Sequence, residues 1–167
     1  MIDKLKRYIE DNLEIEKSNN SFFGTMFKSK ATYTLDDYDY CESSSVSDFI
    51  DNNKNENKFH KLLFKYIDDR GLRDSDVYNK VHIDRRLFSK IRSDIDYHPS
   101  RETVILLGLS LKLNLDEFID LLDSASYSLP KNNYYDLIIR FCFIEGIYDI
   151  KDINDMLSMY GCKMFNY

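Results

Sequence analysis

Glycine and proline are scarce in this chain, with five glycines and two prolines in 167 residues. So few chain breakers argue against the turn-rich connections of an all-β protein and point to a helical one. Abundant Tyr, Asn, Asp, Ile and Lys beside that scarcity suggest an AT-rich genome. Cysteine is sparse as well. Cys41, Cys142 and Cys162 are odd in number and far apart, which argues against a disulfide framework and against zinc-ligand spacing. Cys142, in RFCFIEG, is expected on a buried helix face as a small apolar residue in a reducing compartment. No apolar run reaches membrane-spanning length, and MIDKLKRYIEDN has no signal-peptide hydrophobic region. The expected compartment is the cytoplasm, without a membrane partner.

Recognisable catalytic chemistry is missing too. His60, His82 and His98 show neither HExxH nor metal-ligand spacing, and there is no Walker loop, GxGxxG or GxSxG. The pairs Asp36-Asp37 and Asp68-Asp69 read as helix-surface or loop acids, and Ser43 to Ser45 as a flexible loop. The expectation is a protein that is not an enzyme, with no catalytic residues, no metal and no cofactor.

What is present belongs to a folded chain. Hydrophobic residues at 43% and aromatics at 14% are too many for a disordered one. The length suits one domain with a real core, or a compact domain with a small extra module. A net charge of −6 argues against a protein that coats nucleic acid generally. A specific reader needs only a local basic patch, so DNA stays in play.

The chain divides at residue 57. In the N-terminal segment, 1–57, Ile2, Leu5, Ile9 and Leu13 recur at helical spacing. The tract SFFGTMFKSKATYT suggests a short β-hairpin around Phe22 to Thr34, followed by the acidic LDDYDYCESSSVSD and the linker or cap DNNKNENK. Lys28 and Lys30 among these aromatics are a weak hint of single-strand binding. Core or interface aromatics fit the tract better.

Residues 58–167 are strongly patterned. Phe59, Leu62, Leu63, Tyr66 and Ile67 form a helix stripe ending near Gly71, and Asp74 or Ser75 is placed to cap a second helix with Val77, Tyr78 and Val81. Asp84 is an N-cap for a third helix that buries Leu87, Phe88 and Ile91. Pro99-Ser100 opens a fourth, and Asn114 with Glu117 has the capping-box spacing of a fifth. Beyond them, Tyr135, Leu137, Ile138, Phe141, Cys142 and Ile144 mark a hydrophobic helix. Asp149 caps a last one, with Ile150, Ile153, Met156, Leu157 and Tyr160.

In continuous register, these residues resemble the λ-repressor-like (Xre-type) helix-turn-helix family. Val77 and Tyr78 begin the pattern, His82 takes the turn, Ile83 follows and Asp84 caps. Arg85 and Arg86 occupy the first exposed recognition-helix positions, with Ser89, Lys90 and Arg92 outside and Phe88 and Ile91 inside. Pro99-Ser100, Val104, Gly108, Leu111 and Asn114 to Phe118 complete it. More narrowly, residues 58 to 165 resemble a bacterial helix-turn-helix module often found C-terminal to other domains such as macro domains. The 57 residues ahead of it are too few for a macro domain, so ADP-ribose chemistry is not carried over. The resemblance implies an all-α fold: a five-helix orthogonal bundle, here extended by two C-terminal helices and preceded by a small helix/hairpin segment.

Three departures from that pattern carry expectations. Tyr78 stands where the family prefers alanine, so its ring must widen the gap between two helices or tilt outward. His82 replaces the turn glycine and must tolerate left-handed geometry at some cost. Leu106 and Leu109 leave their helix apolar nearly all round, so something must cover it. Intramolecular cover by the last two helices is the preferred answer, and a dimer interface the competing one.

The resemblance also implies a function: double-stranded DNA binding by a transcriptional regulator, acting as a dimer that reads two half-sites. Arg85 and Arg86 would pair with guanine or phosphate, Ser89 permit close approach, and Lys90, Arg92 and Arg101 reach phosphates. From Asp84 to Arg101 those five bases face only Asp84, Asp94 and Asp96, whereas acids predominate from Asp116 to Asp155. The alternative is a protein-interaction module of a bacterial or phage defence or counter-defence system that keeps the scaffold without sequence-specific DNA binding.

Overall fold

The computed structural model describes residues 1–13 and 58–166 of the chain. Eight helices account for the regular structure among these residues, and none of them is in a strand. They are α1 (residues 2–13), α2 (Lys58–Asp69), α3 (Asp74–Lys80), α4 (Arg85–Ser93), α5 (Arg101–Ser110), α6 (Leu115–Ser124), α7 (Tyr134–Glu145) and α8 (Ile150–Met159). The hairpin expected at Phe22 to Thr34, Cys41 and the DNNKNENK linker lie outside the described residues, apart from the linker's final Lys58, which opens α2.

Helix starts follow local hydrogen-bonding chemistry. Asp84 Oδ1 accepts from the backbone N–H of Arg86 at 2.6 Å, and the Ser100 hydroxyl accepts from Thr103 N–H at 3.2 Å. Asn114 and Glu117 form the full reciprocal box, each side chain accepting from the other's backbone N–H at 2.9 Å. Each such cap stabilises by about 1 kcal/mol, because it satisfies a donor the helix leaves unpaired. One expectation is corrected. The cap position before α3 is Arg73, and Asp74 is already the first helical residue. Arginine has no acceptor to offer, so that end is held the other way, by Asp76 accepting from the Arg73 N–H at 3.3 Å.

Six of the helix ends share one device, whereas α4 ends at Asp94 in extended geometry. Gly71, His82, Lys112, Ser126, Gly146 and Gly161 all have positive φ, and each follows a helix. In every case the next residue's N–H reaches back five residues to a carbonyl, as Ile83 does to Tyr78 at 3.0 Å and Leu113 to Gly108 at 3.2 Å. At His82, φ is 55°, the left-handed geometry expected of the turn residue. A side chain there costs roughly 1 kcal/mol relative to glycine.

The core is organised around α5. All of its residues from Thr103 to Ser110 are buried, which is why its sequence has no polar stripe. The cover is intramolecular. Ser110 Oγ donates to the Val77 carbonyl of α3 at 2.6 Å, α6 packs alongside, and Phe143 of α7 closes over Gly108. Leu106 and Leu109 are buried within one chain. On α7 the buried set is Leu137, Ile138, Ile139, Phe141, Cys142 and Phe143, while Ile144, expected inside, is 47% exposed. The helix is enclosed on more sides than a single stripe predicts, so Ile139 and Phe143 are inside and the end of the helix is not.

Helix α1 docks on α7. Leu5 and Ile9 are buried, the Tyr8 and Phe141 rings lie 5.5 Å apart, and Lys4 pairs with Glu145. Glu117 ties α6 to α2 by accepting from Arg70 at 2.8 and 2.9 Å. Burial would raise its carboxyl, but the Asn114 N–H and the Arg70 guanidinium outweigh burial and hold it below its ordinary value. Burial pushes the Cys142 thiol up to about 12, aided by nearby Asp152, which makes it an inert core group.

The C-terminal tail is pinned by one buried amide. Asn154 donates to the Phe165 carbonyl at 2.9 Å and accepts from its N–H at 2.8 Å, as a neighbouring strand would. Asn154→Leu should therefore lower stability by about 2 kcal/mol, since both backbone groups lose their partner. Denaturant unfolding checks this, and an unchanged midpoint would show that the tail is not anchored there.

Candidate nucleic-acid interface

Helix α4 offers the basic surface. Phe88 and Ile91 face the core while Leu87, expected beside them, is only half-buried, and Arg85, Arg86, Ser89, Lys90 and Arg92 are turned outward. Its orientation is set by α3, which packs against it across the turn at Val81 to Asp84. The Asp84 carboxylate is folded back onto the helix N-terminus, so its charge is largely spent on backbone amides rather than on the arginines that follow.

Arg85 and Arg86 make no ion pair among the described residues. Lys90 lies over the Tyr97 ring at 4.6 Å, an arrangement that steadies the ammonium while leaving it exposed. Arg85, Ser89 and Arg92 line a groove of about 370 Å³ shared with Arg73, Asp74, Ser75 and Tyr78 of the preceding segment. The Tyr78 ring is half-buried and borders that groove, its centroid 5.7 Å from that of Phe88 with 51° between the ring planes.

Two of the expected contacts are otherwise engaged. Arg92 pairs with Asp74 and stacks on the Phe64 ring at 4.0 Å, so it braces α4 against α2 and α3. Arg101 lies apart from this face, bound to Asp136 at 2.6 Å and to the Ser128 carbonyl at 2.9 Å. The Asp136 side chain is only 5% exposed and also accepts from Asn133 at 2.8 Å, so Arg101 serves to join α5 to α7. The structure thus groups Arg85, Arg86, Ser89 and Lys90, with Arg92 at the edge and Arg101 elsewhere.

Asp74, Arg73 and Tyr97 were not anticipated at this surface. Asp74 was legible as a helix-start acid, but no spacing signals its pairing with a residue on the next helix. A larger cleft of about 580 Å³ separates α2 from α6 and is lined by Lys58, Lys61, Lys65, Asp120 and Asp123. Its lining is of mixed charge and includes no residue of α4, which leaves it outside this interface. Among the described residues no cluster of His, Cys, Asp and Glu is arranged to hold a metal ion, and no helix is long and apolar enough to cross a membrane.

The described residues define a helical fold that presents a short basic helix, α4. Comparisons with protein-family models, curated proteins and solved structures found no match.

Proposed function

We propose that the protein is a helix-turn-helix DNA-binding protein of the λ-repressor-like (Xre-type) kind, a cytoplasmic transcriptional regulator that acts as a dimer. The observation that carries this reading is the outward face of α4, where Arg85, Arg86, Ser89 and Lys90 stand exposed on a helix rigidly capped by Asp84. Two guanidinium forks at the start of a groove-sized helix suit guanine O6 and N7, and Ser89 between the long side chains lets the backbone approach. α3, joined through the left-handed turn at His82, corresponds to the helix that crosses the phosphate backbone. Dimerisation is part of the proposal because four polar contacts per protomer make a weak site and two half-sites double them.

A second reading is favoured by the pairing of Arg92 with Asp74 and Arg101 with Asp136, which thins the positive field. Exposed acids Asp116, Asp120, Asp123, Asp152 and Asp155 on α6 and α8 then become the working surface of a protein-interaction module, for example in a conflict between bacteria and phage. Retention of duplex DNA, measured across salt concentrations, separates the two. DNA reading requires binding that falls steeply as salt rises. Light scattering on the same samples gives the number of protomers, and absence of retention at low salt would leave the second reading.

A further inference from the structure

The groove between α3 and α4 contains three arginines and one acid: Arg73, Arg85 and Arg92 face Asp74, with the Ser75 and Ser89 hydroxyls at its edges. Arg73 is already bound to Asp76 through two bonds of 3.0 Å, outside the groove lining. Arg92 is held by Asp74 through one guanidinium nitrogen while its flat face rests on Phe64. That leaves a preoriented guanidinium whose charge is answered by a carboxylate at the first position of α3. If α3 crosses the DNA backbone, that carboxylate sits where a phosphate would be received, and both anions ask for the same donor fork.

We propose that Asp74 is an internal stand-in for a DNA backbone phosphate. In the free protein it holds Arg92 in place. On duplex binding Arg92 exchanges the Asp74 carboxylate for a phosphate oxygen, without moving off Phe64. The inference rests on the DNA-binding reading and deepens it by assigning Arg92 and Asp74 opposed roles. An exchange of one anion for another gains little, and the displaced carboxylate repels the incoming phosphate, so the native protein binds more weakly than its arginines alone would allow. Asp74 is thus a restraint on affinity that also keeps the groove ordered.

The test uses the full chain and a labelled mixed-sequence DNA duplex of about three helical turns. Affinity is read by fluorescence anisotropy from about 50 to 200 mM salt. Asp74→Asn should bind about three- to tenfold more tightly at low salt, with a salt slope steeper by about 0.9, because the Arg92–phosphate contact then releases a counterion in full, with no freed carboxylate to take a cation up again. Asp74→Ala, a strong helix former at a helical position, should do the same should the asparagine variant fold poorly. Adding Arg92→Gln to Asp74→Asn should return the slope to the native value. If the native protein binds and the Asp74 variants, folded to the native melting temperature, bind no better, the exchange is refuted. It is also refuted if the gain survives in the double variant, because charge removal alone would then account for it. Failure of every variant to bind the duplex would instead refute the DNA-binding reading, and this inference with it.

Discussion

Replacing Arg85 and Arg86 together with alanine is expected to weaken duplex DNA binding at least about thirtyfold, with little change in stability. Each bidentate guanidinium contact to a base edge is worth about 1–3 kcal/mol of discrimination, so losing two removes roughly 2–6 kcal/mol. Both side chains are exposed and free of ion pairs among the described residues, so truncating them leaves no buried group unsatisfied. Stability should move by no more than about 0.5 kcal/mol. Arg101→Ala provides the opposite control. It strips a charged partner from buried Asp136, and only part of that loss is covered by the Asn133 amide. It should cost about 2 kcal/mol in folding while leaving the salt slope unchanged. Gel retardation with parallel thermal melts separates the outcomes. Native-like retardation by the Arg85/Arg86 variant would show that α4 does not carry the contact.

Phe118→Ala should be the most damaging single core change of those considered, at about 3–5 kcal/mol. Phe118 is fully buried and stacks on Phe143, ring centroids 3.7 Å apart at 9°. That stack lies over α5 only because residue 108 has no side chain. A Cβ built there would meet the Phe118 ring at 2.7 Å and the Phe143 ring at 3.2 Å. Gly108→Ala gains about 1 kcal/mol in helix propensity. Wedging a methyl beneath two packed rings costs about 1–3 kcal/mol, and this overlap belongs at the upper end. The net expectation is a loss of about 1–2 kcal/mol. The two sites share one space, so the effects should not add. In the Phe118→Ala background the new methyl enters the vacated volume and should become neutral or helpful. Urea unfolding of the four proteins measures this coupling, and strictly additive losses would show that Gly108 is not there to admit the ring.

Much of the helical scaffold was legible because its signals are local. Asp84, Ser100 and the Asn114–Glu117 pair act on backbone groups two or three residues away, a distance over which the chain itself sets the geometry. The same is true of His82, whose left-handed turn is fixed by one backbone bond across the end of α3. Tyr78 could be narrowed to two arrangements, and its half-buried place beside Phe88 at the groove depended on the fold. The α3 cap, expected at Asp74 or Ser75, was misplaced by one or two residues because Arg73 cannot accept a hydrogen bond, and Asp76 supplies the contact from inside the helix.

The candidate site was legible only in part. Arg85, Arg86, Ser89 and Lys90 share a face by helical spacing alone, so their grouping followed from the sequence. Arg92 and Arg101 were equally basic and equally well placed along the chain. Their engagement depends on Asp74, 18 residues before one, and Asp136, 35 residues after the other. Charge counted along a chain cannot register a neutralisation that occurs across the fold.

By itself, then, the sequence determined the helices, most of their caps and the outward arginines, since each depends on hydrogen bonds or periodicity spanning a turn or two. Only the tertiary structure decided which charges remain unpaired, that Phe118 of α6 and Phe143 of α7 close over α5 at Gly108, and that Asn154 holds the tail. Those outcomes rest on contacts between distant segments, whose relative placement is set by packing of the whole core.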